Sequence, residues 1–192
     1  MKVIINDKQK GLLFQNGILK KILGAGKYCA GGSKNIETLS VDDEITANGA
    51  TLQKILELPE AKDKVSEITV KNGEVALHYV DGVFANALTA GRHAFWNDIG
   101  KHEFKTYSTA EPKITDIPAN ITAQLVPAFV KCVVVPPYSK AVIYYNDKTA
   151  EYLDEGHYYY WNGSVDVSYK IFDMRVQQLD ISGQDILTKD SE

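Results

Sequence analysis

The chain has 192 residues, 44% hydrophobic and 24% charged, with 14 Gly and 6 Pro; this excludes a disordered or collagen-like polymer and allows a sizeable core. A formal net charge of −4 argues against nucleic acid as the main partner, and no apolar run approaches the ~18 residues that cross a bilayer as a helix. The N-terminus turns polar by Asn6-Asp7, too soon for a secretory signal, so a cytoplasmic place is expected.

In chain order, the predicted elements come in three similar sets. Val3 and Ile5 alternate as in a half-buried strand, and Leu12 and Phe14 mark a second strand that ends at Asn16-Gly17. The chain then returns to a turn at LGAG, residues 23–26, followed by Tyr28. About 65 residues later the set recurs: Ile68 and Val70, Leu77 and Tyr79, Asp81-Gly82, LTAG at 88–91 and His93. It recurs again as Val133 and Val135, Val142 and Tyr144, Asn146-Asp147, LDEG at 153–156 and Tyr158. Asn, Asp and Gly tolerate positive φ best, so each pair specifies a type I′ hairpin, and the closing glycines suit the last position of a type I turn. A further strand is expected at the same offset, carried by Leu39 and Val41, by Phe104 and Thr106, and by Tyr169 and Ile171.

The fold class is therefore mainly β: three tandem antiparallel β-meander repeats of about 65 residues, each of about four short strands, joined by connectors with short helices. The expected boundaries are repeat 1 at 1–42, a connector with a short helix at 43–65, repeat 2 at 66–108, a proline-containing connector at 109–130 and repeat 3 at 131–180. Thr51 is the expected cap of the first connector's helix, TLQKILEL before Pro59, and the second connector has room for one helical turn after Asn120.

The chemistry-bearing residues form no catalytic constellation. The glycine-rich run from Gly24 to Ser33 has Gly32 where a phosphate-binding loop needs lysine. Of the four histidines, His78 and His93 align with packing residues (Leu13 and Ile143, Tyr28 and Tyr158), and no metal-ligand spacing occurs. Cys29 and Cys132 read as unrelated buried thiols. No catalytic, cofactor-binding or metal-binding residue is expected, and no cofactor. Eight of the eleven tyrosines lie between Tyr138 and Tyr169. Strand alternation that turns Tyr144, Tyr158 and Tyr160 inward turns Tyr145, Tyr159 and Trp161 outward, which makes those three the candidate interface unless a connector or neighbouring unit covers them.

The hydrophobic strand, the "DG" hairpin and the L-x-x-G-[KRH]-aromatic turn leading to Phe95-Trp96 or Tyr160-Trp161 resemble the N-terminal region of bacterial slipins, the stomatin-like proteins of the SPFH (Band 7) superfamily. The segment Leu179-Asp-Ile-Ser-Gly-Gln-Asp-Ile-Leu-Thr-Lys-Asp190 is similar to the opening of their SPFH domain, which would then start at 181–192. The repeats also resemble, in architecture alone, those forming the wall of the major vault protein. The resemblance implies a non-catalytic scaffold of a homo-oligomer, with a Band 7 domain and a helical region following, that acts on membranes or membrane proteins. It leaves room for peripheral membrane attachment, although the membrane hairpin of many relatives is lacking here. A free-standing module that binds a glycan or peptide through the third repeat's rings is the alternative.

Overall fold

The computed structural model describes residues 2–46 and 48–175. In the first repeat β1 (Lys2–Ile5) pairs with β4 (Gly26–Cys29), while β2 (Gln9–Gln15) lies between β3 (Ile18–Leu23) and β5 (Lys34–Ser40). After α1 (Leu52–Leu56), the second repeat pairs β6 (Val65–Val70) with β9 (Gly91–Trp96) and sets β7 (Glu74–Val80) between β8 (Val83–Leu88) and β10 (His102–Ser108). After α2 (Ala119–Gln124), the third pairs β11 (Val130–Val135) with β14 (Gly156–Trp161) and sets β12 (Ser139–Tyr145) between β13 (Lys148–Leu153) and β15 (Val167–Asp173). All these pairings are antiparallel.

The fold is mainly β and built from repeated units, with five strands per repeat where four were expected. The fourth strand leaves the hairpin to pair with the first, so each repeat is a two-stranded sheet facing a three-stranded one. Both central residues of each hairpin turn have positive φ: 54° and 75° at Asn16-Gly17, 49° and 79° at Asp81-Gly82, 49° and 63° at Asn146-Asp147. Each hairpin also carries a bulge at the same place, after Leu13, His78 or Ile143.

The offset of the fifth strand needs one correction. Gln15, Val80 and Tyr145 are equivalent, and their partners are Lys34, His102 and Val167. Repeat 1 therefore enters its last strand three residues early, because Gly31 and Gly32 make a tighter turn there. Val41, expected on that strand, lies just beyond it.

The turn glycines have a further role. Gly26, Gly91 and Gly156 have φ of 156°, 153° and 149°, and the ring two residues on lies against each. Tyr28 Oη donates to Gly24 O (3.1 Å), Tyr158 Oη donates to Asp154 O (3.3 Å), and His93 Nε2 donates to Thr89 O (2.8 Å). The glycine and its ring thus form one latch, used three times.

The chain folds into two compact units, 1–111 with 117–125, and 112–116 with 126 onward. In the first, Leu12, Phe14, Ile22 and Val41 of repeat 1 share a core with Ile45, Ile55 and Ala61 of the connector and Ala94 and Trp96 of repeat 2. Burying this many apolar side chains, each favourable by about 1.5–3 kcal/mol, makes the connector part of the fold. Thr51 holds the N-cap position of α1, but its side chain makes no capping bond. In the second unit Val133, Val135, Ala141, Ile143, Leu153, Tyr160 and Val167 form the core. Residues 112–116 add an edge, with Ile114 N–H donating to Tyr159 O (2.9 Å) and Trp161 N–H to Pro112 O (2.8 Å). The proline-containing connector is thus divided between the units. The end of repeat 3 and the SPFH-like segment 181–192 lie outside the described residues, and among those described no helix is long and apolar enough to cross a membrane.

Candidate functional site

The three candidate interface residues do not form an exposed patch. Trp161 is buried, and Tyr145 and Tyr159 are half-buried. Strict alternation fails at the end of β14, where Tyr160 and Trp161 are both buried because the strand is covered on its two faces. The bulge after Ile143 is the point at which β12 and β13 slip register, and Tyr145 beyond it turns its hydroxyl to the interior.

That hydroxyl joins a polar cluster that sequence reasoning missed. Glu151 Oε1 accepts from Tyr145 Oη (3.0 Å) and Tyr160 Oη (2.8 Å), and its second oxygen binds Lys113 Nζ. The Lys113 ammonium also lies 5.6 Å from the centre of the Tyr158 ring. Burial alone would raise the Glu151 pKa, but hydrogen bonds from Lys113, Tyr160 and Tyr145 together hold it below the usual carboxylate value. Burial, then the bond to Glu151, pushes the Tyr145 hydroxyl up to about 12 and moves Tyr160 up further. A phenol so held is a fixed donor, and the cluster reads as a structural brace. Its signal in the sequence is slight: Glu151 occupies the same inward strand face as Leu153, in a segment crowded with rings.

Repeat 2 carries a different cluster at the matching place. His78 and His102 are buried and 2.7 Å apart, between Nε2 of the first and Nδ1 of the second. His102 Nε2–H donates to Trp96 O (3.0 Å), so its Nδ1 accepts from His78 Nε2–H. On its other side, His78 Nδ1 lies 2.9 Å from Asn86 Oδ1. Burial lowers the His78 pKa, the Asn86 bond opposes this, and His102 lowers it again. Phe95 stacks on His78 at 4.2 Å and Phe104 at 5.0 Å. His93 serves the latch instead, with Nδ1 2.8 Å from the Glu44 carboxylate. His78, His93 and His102 thus each hold hydrogen bonds within the fold, and among the described residues no three His, Cys, Asp or Glu side chains gather to hold a metal.

Cys29 is exposed and Cys132 half-buried, so the expectation of two buried thiols fails at Cys29, and both are free. The run from Gly24 to Ser33 is turn and strand with no helix after it. A cavity of about 210 Å³ in the first unit is lined by Lys10, Ile22, Gly24, Glu60, Lys64 and Trp96. It brings together two ammonium groups and one carboxylate, without a nucleophile beside a base.

Exposed apolar residues occur in several places, among them Ile4, Ile18, Val83, Val134 and Tyr138, and the last described strand carries three. Tyr169, Ile171 and Phe172 of β15 are exposed, as are Tyr152 on β13 and Met174 just after β15. Strand β15 is at the edge of its sheet, and its outer backbone groups have no strand partner among the described residues. The equivalent positions to Ile171 are Thr38 and Thr106, polar as protected edges are. Comparison with protein-family models, with curated proteins and with solved structures finds no match to the chain.

Proposed function

We propose that the chain is a non-catalytic scaffold, the N-terminal region of a slipin-like SPFH protein, which mediates self-association or partner docking at a membrane. The observation that carries this reading is β15, an edge strand with Tyr169 and Ile171 exposed, Ile171 standing where the other two repeats have threonine. An open edge of this kind recruits another strand through its backbone groups, with the flanking side chains selecting the partner. The polar clusters fit the reading as well, since they hold fixed hydrogen bonds inside two repeats.

The contact surface thus moves from Tyr145, Tyr159 and Trp161 to the β15 edge. The alternative, a glycan- or peptide-binding module, would use exposed rings of the third repeat, of which Tyr138, Tyr152 and Tyr169 are exposed while Trp161 is buried. Light scattering on the 192-residue chain over a range of concentrations tests the assembly. A mass above the monomer is expected, falling to the monomer in Ile171→Lys and in Ile171→Thr, which restores the residue of the other repeats. A wild-type chain that is monomeric throughout, or variants of unchanged mass, would overturn the proposal.

A further inference from the structure

The first unit holds a cavity of about 210 Å³ lined by Lys10, Ile22, Gly24, Glu60, Lys64 and Trp96. Trp96 is 1% exposed, and its Nε1–H has no hydrogen-bond partner among the described residues. The same holds for Glu60 Oε2, a buried acceptor on a half-buried side chain. Two residues lining one cavity thus carry an unmade donor and an unmade acceptor, each costly to keep from water. The Lys10 ammonium is already engaged, 2.6 Å from the Asp98 carboxylate and 5.9 Å from the centre of the Trp96 ring. Lys64 makes no ion pair among the described residues.

The fold does not require these charges. Trp96 recurs one period on as Trp161, but Val75 and Phe129 replace Lys10 and Lys64. Lys64 and Phe129 are equivalent in structure as well, their carbonyls accepting from Asn97 N–H (2.9 Å) and Asn162 N–H (2.8 Å). A repeat can therefore place apolar side chains where this cavity has ammonium groups, and the polar set needs another reason.

We propose that the cavity binds a small zwitterion, a molecule with a carboxylate and an ammonium group such as a free amino acid. With Lys10 answered by Asp98, the groups left over are one ammonium, one N–H and one carboxylate. Lys64 and the Trp96 N–H together match a carboxylate, and Glu60 matches an ammonium. A simple anion would be repelled by Glu60, and a simple cation by Lys64. Size agrees, since pockets for drug-sized ligands span roughly 300–1,000 Å³ and one water takes about 30 Å³. The cavity is larger than one or two waters need and suits a molecule of several heavy atoms. Ile22 and the indole offer apolar surface to its carbon atoms. Lys64 is exposed and a Cβ at Gly24 would meet nothing within 4 Å, so the ligand enters past these two residues.

Titration of the full chain with L-alanine tests the proposal, read at the indole N–H of Trp96 in proton–nitrogen correlation spectra. That resonance should move and saturate, while the Trp161 indole stays in place. Glu60→Gln keeps the size of its side chain and Lys64 is exposed, so Glu60→Gln and Lys64→Ala should both fold. Each should weaken binding about tenfold or more, the loss expected for one charge-assisted hydrogen bond. Acetate and methylammonium, each carrying half of the zwitterion, should bind at least about tenfold more weakly than L-alanine. Acetate that binds as well as L-alanine would make this a plain anion site, and a Trp96 resonance that does not move would leave the cavity to water alone. Either result, or an affinity unchanged in both variants, overturns the proposal. Assembly is read separately, by mass.

Discussion

At the inward position of the returning hairpin strand, repeat 2 carries Asn86 and repeat 3 carries Glu151, and each organises a polar core around it. Asn86 meets a pair of histidines, stacked with phenylalanines and ending on a backbone carbonyl. Glu151 meets two phenols and an ammonium, so a charge is retained and satisfied by three donors. Repeat 1 has Lys21 at the same place, exposed to solvent, and the backbone is unchanged. The hairpin and its bulge therefore need no polar core. The two clusters are private to their repeats, and their different protonation chemistry gives separate ways to break each.

The largest effect is expected from Glu151→Leu, which leaves two phenol hydroxyls and Lys113 without their acceptor. Buried donors without partners cost roughly 1–3 kcal/mol each, so a loss of about 2–4 kcal/mol in urea denaturation is expected, against about 1–2 for Asn86→Leu. An equal or larger loss for Asn86→Leu would remove the contrast between the clusters.

Acid should separate the repeats next. The folded pKa of His78 lies below its unfolded value, so the unfolded chain takes the proton first. Stability from this group is complete above about pH 6.5 and falls as the pH drops below that, by up to about 1.4 kcal/mol per unit until the folded value is reached. The groups around it are His102 and Asn86, both hydrogen-bonded to it, and Glu44, whose charge opposes the shift. Glu151 is also depressed, so its contribution is present above the unfolded carboxylate pKa and is lost as pH falls through its own lower value. Urea midpoints measured against pH should show the repeat 2 loss near neutrality and the repeat 3 loss at more acid pH. His78→Ile with His102→Val, the residues of repeat 3, should remove the first loss alone.

Smaller effects probe what the two repeats share. Gly91→Ala puts a side chain at φ 153° and 3.4 Å from His93 Nε2, and should cost roughly 1–2 kcal/mol by thermal denaturation. Gly156→Ala, against Tyr158 at 3.4 Å, should cost about the same. A large difference would show that the ring, rather than the backbone, governs the latch. Asp147→Gly relieves a positive φ that Gly already fills in the other two hairpins and should stabilise by a few tenths of a kcal/mol, roughly.

The repeat and its hairpins were legible because turn chemistry and strand alternation are local. Asn16-Gly17, Asp81-Gly82 and Asn146-Asp147 mark their turns by residue type alone. The pairing of β1 with β4 was not legible, since nothing in either strand states its partner across twenty residues. The interface residues went astray for a related reason: alternation assigns Trp161 to a face, but only the fold shows that both faces of its strand are covered. Glu151 and His102 were hidden because a polar residue facing inward looks in sequence like one facing water. What remained readable was equivalence, with His78 at Ile143 and His102 at Val167, both core positions.

The claim that chains meet at repeat 3 is tested most directly by hydrogen exchange on the intact protein at several concentrations. Protection of the β15 amides from Ser168 to Phe172 should rise with concentration, while β5 and β10, the same strand in the other repeats, stay unchanged. Protection in β15 that is flat across concentrations at which the mass increases would place the contact elsewhere and contradict the account.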